Sequence, residues 1–299
     1  MMRALSLAAG LLLAGCASTT ATTAPKALSD EVVASQIGEK PTPASPPTGQ
    51  QWLYGSAEGA VASAQVYRAL AAYVRNAVLS AVPRRQLVLA EGSTPAAPRF
   101  DACGDKPPAA VFDADETLIW NIGAMRYMAE QHKDFDPAIW DQWEKTGAGK
   151  AIAMPGVVDA LAAMRAAGVT IIVNTNRTAA NAQGTEKALR AAGLGEFRHG
   201  ETLFLMGDTP DGASKDGRRA QIAARWCVIA MGGDQLGDFA QAFNAPGLSV
   251  ADRKTLATSS PIAALWGQGW FLLSNPVYGP SIRGGFADIF PSDKQWEPK

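Results

Sequence analysis

The chain has 299 residues, 47% of them hydrophobic and 18% charged, with 27 Lys and Arg against 28 Asp and Glu. That is enough apolar material for one sizeable α/β domain, with or without a small cap. The even charge balance supplies neither a basic patch for nucleic acid nor an acidic tail, and with only His132 and His199 in the chain, histidine-based hydrolase mechanisms are short of parts.

Arg3 and the apolar residues 5–14 form a charged start and a run too short for an ordinary membrane-spanning helix. The run ends in Leu13-Ala14-Gly15-Cys16, which resembles the bacterial lipobox. That resemblance implies a signal peptide over residues 1–15, cleavage before Cys16, and acylation of its thiol and new amino group. A plain secretory signal with an incidental cysteine is the alternative. Multiple acyl chains give the stable anchoring that one cannot. Ala17 rather than Asp follows Cys16, which in a Gram-negative cell favours the outer membrane, facing the periplasm or the cell surface. Residues 16–49 are rich in Thr, Ser, Ala and Pro and read as a tether too poor in large apolar residues to pack. Residues 50–299 are left for one domain.

Within it, Val66, Leu70, Val74 and Val78 recur at helical spacing and Pro83 ends the run, so residues 50–82 are expected to be largely helical. Trp52, Tyr54, Tyr67 and Tyr73 read there as packing residues. After an irregular stretch, residues 109–112 form a short apolar run that leads directly into Asp113, Asp115 and Thr117. That is a buried parallel strand delivering two carboxylates beyond its C-terminal end, where open α/β sheets bind ligands.

Residues 118–150, with Trp120, Tyr127, Phe135, Trp140 and Trp143, read as a helical insert over that crevice. Pro155-Gly156 opens a helix closed by Gly168, and residues 169–173 form a second strand ending at Asn174-Thr175-Asn176-Arg177. A helix over 178–192 closed by Gly193 is expected next, then a strand over 203–206. Ser214 is read as the cap of a helix carrying Lys215, Arg218 and Arg219. A strand over 227–231 runs into Gly233-Asp234 and Asp238, and a last strand starts at Trp270. Alternating strands and helices predict a doubly wound parallel sheet, with residues 50–82 and 118–150 as its helical cap.

Asp113/Asp115, Thr175, Lys215 and Asp234/Asp238 thus follow one another near strand or helix ends. This order resembles the haloacid dehalogenase-like (HAD) superfamily, whose motifs are Asp-x-Asp, Ser/Thr, Lys and an acidic pair. Trp52…Gly55-Ser56-Ala57-Glu58, Phe112-Asp113-x-Asp115-Glu116-Thr117, Thr175-Asn176-Arg177, Ser214-Lys215…Arg218-Arg219 and Asn275-Pro276…Tyr278-Gly279 resemble one branch: the bacterial lipoprotein 5′-nucleotidases and class-B-like acid phosphatases. Ala114 and Ile119-Trp120 depart from it; the second departure is expected to alter the crevice rim.

The chemistry also follows from the residues. Asp113 can attack phosphorus in line and form an aspartyl-phosphate. Asp115, two positions on, can protonate the leaving alkoxide and then deprotonate water; the resemblance implies the same, since superfamily phosphatases keep an acid there. Thr175, with Asn176 and nearby backbone N–H groups, would bind phosphate, and Lys215 would neutralise transition-state charge. Mg²⁺ is the expected cofactor, held by Asp113, Asp234 and the backbone carbonyl of Asp115, with Asp238 orienting metal-bound water.

The expected function is therefore a membrane-anchored, Mg²⁺-dependent phosphomonoesterase acting on nucleoside monophosphates. The alternatives are a broad-specificity acid phosphatase without nucleotide preference and a non-catalytic binding lipoprotein. In the resembling nucleotidases aromatic side chains hold the base, and Trp140-Asp141 and Tyr278 fall at matching positions. In the HAD strand order Cys103 and Cys227 would lie near one edge of adjacent strands. They are expected either to pair or to remain one buried and one loop thiol.

Overall fold

The computed structural model describes residues 45–82, 84–133 and 135–298. The signal peptide, Cys16 and most of the tether lie outside the described residues. Among the described residues no helix is long and apolar enough to cross a membrane.

A turn at Thr48–Gln50 and a π-helical turn at Gln51–Gly55 precede helix α1, Ala57–Leu79. Ser56 starts α1 by accepting from Gly59 N–H at 2.9 Å, the usual service of an N-cap hydroxyl. Gly59, Ser63, Tyr67, Leu70 and Val74 form its buried stripe, at the spacing of one helix face.

Five parallel strands make the sheet: β1 (Pro108–Phe112), β4 (Thr170–Thr178), β5 (Leu203–Met206), β6 (Cys227–Gly233) and β7 (Trp270–Leu272), in the order β5-β4-β1-β6-β7. Side chains alternate between two cores. Ala110, Phe112, Ile171 and Val173 pack with Tyr67, Leu70 and Val74 of α1 and with Val157, Leu161 and Met164. Ala109, Val111, Ile172 and Val228 pack on the opposite side with Ile222, Phe239, Phe243 and Trp270. Burial on both faces is why these strands are near-continuous apolar runs.

The sequence expectations shift at several ends. Residues 118–150 are not wholly helical: Ile119–Trp120 (β2) pairs antiparallel with Ile152–Ala153 (β3), a short ribbon at the base of the insert. Between them lie helices α2 (Ile122–Glu130) and α3 (Pro137–Thr146). After α4 (Val157–Ala166), strand β4 extends through Thr178, so α5 starts only at Ala182 and ends at Ala191. Lys215, not Ser214, is the cap residue of α6 (Asp216–Arg225); Ser214 Oγ accepts from Asp216 N–H at 3.3 Å. Helix α7 covers Val250–Ser259. At the start of the domain, the Thr48–Gln50 turn, partly assigned to the tether by composition, lies against Pro276 and Val277.

Cys103 and Cys227 are joined by a disulfide, with Cα atoms 5.1 Å apart and a sequence separation of 124. It ties the approach to β1 to the first residue of β6, at the end of the sheet away from Asp113 and Asp234.

Candidate active site

Asp113 follows β1 directly, and its N–H donates to Gly232 O on β6 at 3.0 Å, so the neighbouring strand sets its place. Asp234 follows β6, and the chain then folds back through a 3-10 turn at Leu236–Asp238. Gly233 permits that return: a Cβ there would lie 2.4 Å from Asp238 Cβ. Carboxylate oxygens of Asp113, Asp234 and Asp238 consequently lie within 4.8 Å of one another. Lys215 Nζ reaches this cluster from the start of α6, 2.5 Å from Asp113 Oδ1 and 2.7 Å from Asp238 Oδ1.

Four ionisable groups in a buried space set the electrostatics. Burial pushes the Asp113 carboxyl well above the usual range; Lys215 pulls against this, while Asp238 and Asp234 add to the push. Asp234 is raised to about 7 by burial and then by the charge of Asp238. Burial also opposes the Lys215 charge, but Asp113 and Asp238 outweigh it and hold the ammonium above its ordinary value. Lys215 is therefore the cation of the cluster. Three clustered carboxyl groups against one ammonium, two of them pushed by burial and by one another to keep their protons, form a set of hard oxygen donors short of positive charge, which fits a divalent cation. Thr117 Oγ1, Asn275 Nδ2 and Gln235 Nε2 donate to Asp234 at 3.0, 2.8 and 3.1 Å and fix its orientation.

Asp115 turns its side chain to a separate set of partners. Its Oδ1 lies 2.7 Å from Arg177 Nη2 and accepts from Arg177 Nε and Asn121 Nδ2, each at 2.9 Å. Arg177, at the end of β4, is 1% exposed and also donates to Asn121 Oδ1 at 2.7 Å. Burial opposes its charge, and Asp115, with Glu144 and Glu116, more than restores it.

Between the two aspartate groups sits Glu116, fully buried with φ 51°, a left-handed conformation uncommon outside glycine. Its carboxylate accepts from Tyr278 Oη, from Tyr54 Oη at 3.1 Å and from Asn121 N–H at 2.9 Å. Burial, then the charge of Asp115, pushes it up to about 7. Glu116 thus joins the segment before α1, the insert and the chain after β7 at one carboxylate.

Thr175 is buried at the crevice, but the Asn176 amide is occupied elsewhere. Its Nδ2 donates to Ala213 O at 2.9 Å and its Oδ1 accepts from Arg218 Nη2 at 2.5 Å. That leaves the backbone of Asn176, rather than its side chain, for an oxyanion. Arg218 also donates to Thr175 O at 2.8 Å, while Arg219 donates to Asp238 O at 2.7 Å. These two consecutive buried arginines brace the loops on either side of Lys215.

Above this floor opens a crevice of about 990 Å³ reaching Asp113, Asp115, Thr175, Lys215 and Asp234. Its wall includes Phe135, Trp140, Asp141, Met206 and Tyr278. Phe135 and Trp140 meet with ring centroids 5.9 Å apart. The other insert aromatics are elsewhere. Trp120 is buried in the β2–β3 ribbon against Tyr54 at 5.7 Å, so Ile119-Trp120 does not form the crevice rim expected of it. Trp143 donates from Nε1 to Asn121 Oδ1 at 2.8 Å, and Tyr127 is half exposed outside the crevice. Asp141 accepts from Asn181 Nδ2 at 2.9 Å and Lys145 Nζ at 2.6 Å.

Glu116, Asn121 and Arg177 were not among the residues assigned roles from sequence. The letters stood beside Asp115 and Thr175, but their partners are far away along the chain: Arg177 is 62 residues from Asp115, and Tyr278 is 162 from Glu116.

Residues 55–281 match the family model described as HAD superfamily, subfamily IIIB (acid phosphatase). The fold is similar to a crystal structure of class C acid phosphatase from Bacillus anthracis with tungstate bound, at 26% identity over 78% of this chain and 84% of that chain, TM-score 0.61. A second structure of class C acid phosphatase from Bacillus anthracis is 25% identical over 78% of this chain and 85% of that one, TM-score 0.60.

Proposed function

Given that the chain belongs to the acid phosphatases of HAD subfamily IIIB and is a phosphoric monoester hydrolase, we propose that it is a Mg²⁺-dependent 5′-nucleotidase working through an aspartyl-phosphate and tethered to a bacterial membrane by acylated Cys16. The observation that carries the catalytic part is Lys215 bridging Asp113 and Asp238 on a floor shared with Asp234. The Bacillus anthracis relative with tungstate bound supports an oxyanion site of the same kind here, since tungstate is a tetrahedral oxyanion like phosphate.

Asp113 and Asp234 would hold a divalent cation, which when bound would neutralise charge on the reacting groups. Asp113 attacks the phosphorus: a bond forms from its carboxylate oxygen, and the bond to the ester oxygen breaks. Asp115, oriented by Arg177 and Asn121, gives its proton to the departing alkoxide. It then takes a proton from the water that displaces phosphate from Asp113. Lys215 and the N–H groups beside Thr175 hold the non-bridging oxygens as charge develops. Binding of the base is assigned to Trp140 and Tyr278, with Asp141 beside them; aromatic stacking tolerates different bases.

A broad-specificity acid phosphatase is the second reading. It is favoured by the small share of the insert's aromatics that faces the crevice. Hydrolysis of p-nitrophenyl phosphate with and without EDTA tests the enzyme and its metal requirement. A panel of nucleoside 5′-monophosphates and sugar phosphates separates the two readings: equal kcat/KM across the panel overturns the nucleotidase. Intact mass of membrane-extracted protein tests acylation of Cys16.

A further inference from the structure

Beyond the family match, which ends at residue 281, the chain carries a cluster of apolar side chains on its surface. Phe286 is 87% exposed, Trp296 82%, Phe290 56%, Ile289 53% and Ile282 50%. Other large exposed apolar residues, such as Val61, Ile152 and Val158, stand singly on separate elements, which is ordinary for a protein surface. Here five fall within fifteen residues of chain, and the rings of Phe286 and Phe290 lie side by side with centroids 5.8 Å apart.

The backbone that displays them is seated. Arg283 Nη2 donates to Leu248 O at 3.2 Å, and Gly285 N–H donates to Asp288 Oδ2 at 2.8 Å. Gly284 approaches Val250 closely enough that a Cβ would lie 3.1 Å from Val250 Cγ2. The short turn Phe286–Ile289 is thus fixed beside the start of α7 with its aromatics outward.

We propose that this surface docks on a lipid bilayer, holding the catalytic domain against the membrane from which its N-terminus is tethered; the proposal rests on the tether reading given above. Phe286, Ile289 and Phe290 at a short turn and Trp296 farther along, interspersed with Arg283, Asp288, Asp293, Lys294 and Glu297, suit the boundary between headgroups and acyl chains, where rings are buried and charges stay wet.

Gly49 lies so close to Pro276 that a Cβ would sit 2.1 Å from Pro276 O. The chain leading in from the tether therefore crosses the chain leading out to the patch. Ser45 and Ile282 are each only a few residues from that crossing, so tether exit and patch start are within roughly 35 Å even if both segments are extended.

Residues 17–44 separate Cys16 from the described domain, and a chain of that length reaches at most about 95 Å. Anchored so near, even a weak interfacial affinity is amplified by effective concentration.

The test compares the full chain carrying Cys16→Ser with the same chain also carrying Phe286→Ser and Phe290→Ser, cosedimented with vesicles of phosphatidylethanolamine and phosphatidylglycerol. Neither Phe touches the catalytic floor, so equal p-nitrophenyl phosphate turnover establishes that both chains fold; Trp296→Ser is the substitute if the double variant does not. The expected result is vesicle binding by the Cys16→Ser chain that falls about tenfold or more when the aromatics are removed. Absent binding, or binding the aromatic substitutions leave unchanged, overturns the proposal. A Cys16→Ser dimer that these substitutions convert to monomer, without vesicle binding, overturns it in favour of a second copy of the chain. Failure of the tether reading is seen separately, as wild-type protein without acyl mass, and does not alter the vesicle comparison.

Discussion

At the floor of the crevice Asp113 and Asp238 share Lys215, Asp234 is held by Thr117, Gln235 and Asn275, and Asp115 is held by Arg177 and Asn121. On the wall, Trp140 lies against Phe135, itself 63% exposed, and 5.9 Å from the Arg177 guanidinium. The floor is fixed by charge-assisted hydrogen bonds in a buried space, where geometry is set tightly. The wall is fixed by ring contacts that permit adjustment. A phosphate has one shape and the alcohol it is attached to has many. The contrast locates reaction type in the floor and substrate choice in the wall.

The largest effect should come from Asp113→Asn, which keeps the shape of the side chain and removes the proposed nucleophile. Turnover is expected to fall by about 10⁴-fold or more, with the far-UV circular dichroism unchanged. Residual turnover near wild type would break the floor assignment.

Next is Asp115→Asn, expected to cost about 10²–10⁴-fold on an alkyl phosphate. The loss should be much smaller on p-nitrophenyl phosphate, whose leaving group needs little protonation. Equal losses would mean that Asp115 organises Arg177 and does not act as the acid.

The wall is probed by Trp140→Ala. Loss of stacking worth about 1–3 kcal/mol should raise KM for nucleoside monophosphates about 5- to 150-fold while p-nitrophenyl phosphate turnover stays unchanged. If both substrates suffer alike, floor and wall are one unit and the contrast fails.

The smallest effect concerns pH. Asp234 titrates at about 7 in the fold, against about 3.9 in an unfolded chain. The folded state therefore holds more protons over that interval, and the stability of metal-free protein falls as pH rises from about 4 to about 7. Tm should drop by a few degrees across this window, and Mg²⁺, by neutralising the cluster, should flatten the slope. A Tm that rises over the window in EDTA would contradict the charge balance described for the floor.

The contrast also explains what was legible in the sequence. Asp113, Thr175 and Asp234 could be placed because each follows an apolar run that must be a buried strand, and a strand end fixes where the next residue lies. The β2–β3 ribbon was not readable: Ile119 finds Ala153, and Trp120 finds Ile152, across a segment of two helices, and nothing in a two-residue strand has a period. The Asn176 amide likewise went to Arg218 on α6 and Ala213 in the loop before it. Which aromatic faces the substrate depends on helix rotation within the insert, so Trp140 and Trp143, three residues apart, end in different surroundings.

The Cys103–Cys227 bond has a consequence for proteolysis. The loop it closes, with cysteines 124 residues apart, contains β1, the insert, β4, β5 and α6, and with them Asp113, Thr175 and Lys215. In the chain-entropy treatment closing such a loop disfavours the unfolded state by about 5 kcal/mol. It also means that one peptide bond cut anywhere between the two cysteines, for instance beside exposed His132 or Arg198, does not separate the pieces. The nicked protein would migrate as one molecule until reduced and then as two. A protease acting on the insert would meet a catalytic floor still covalently fastened to the strand that carries Asp234.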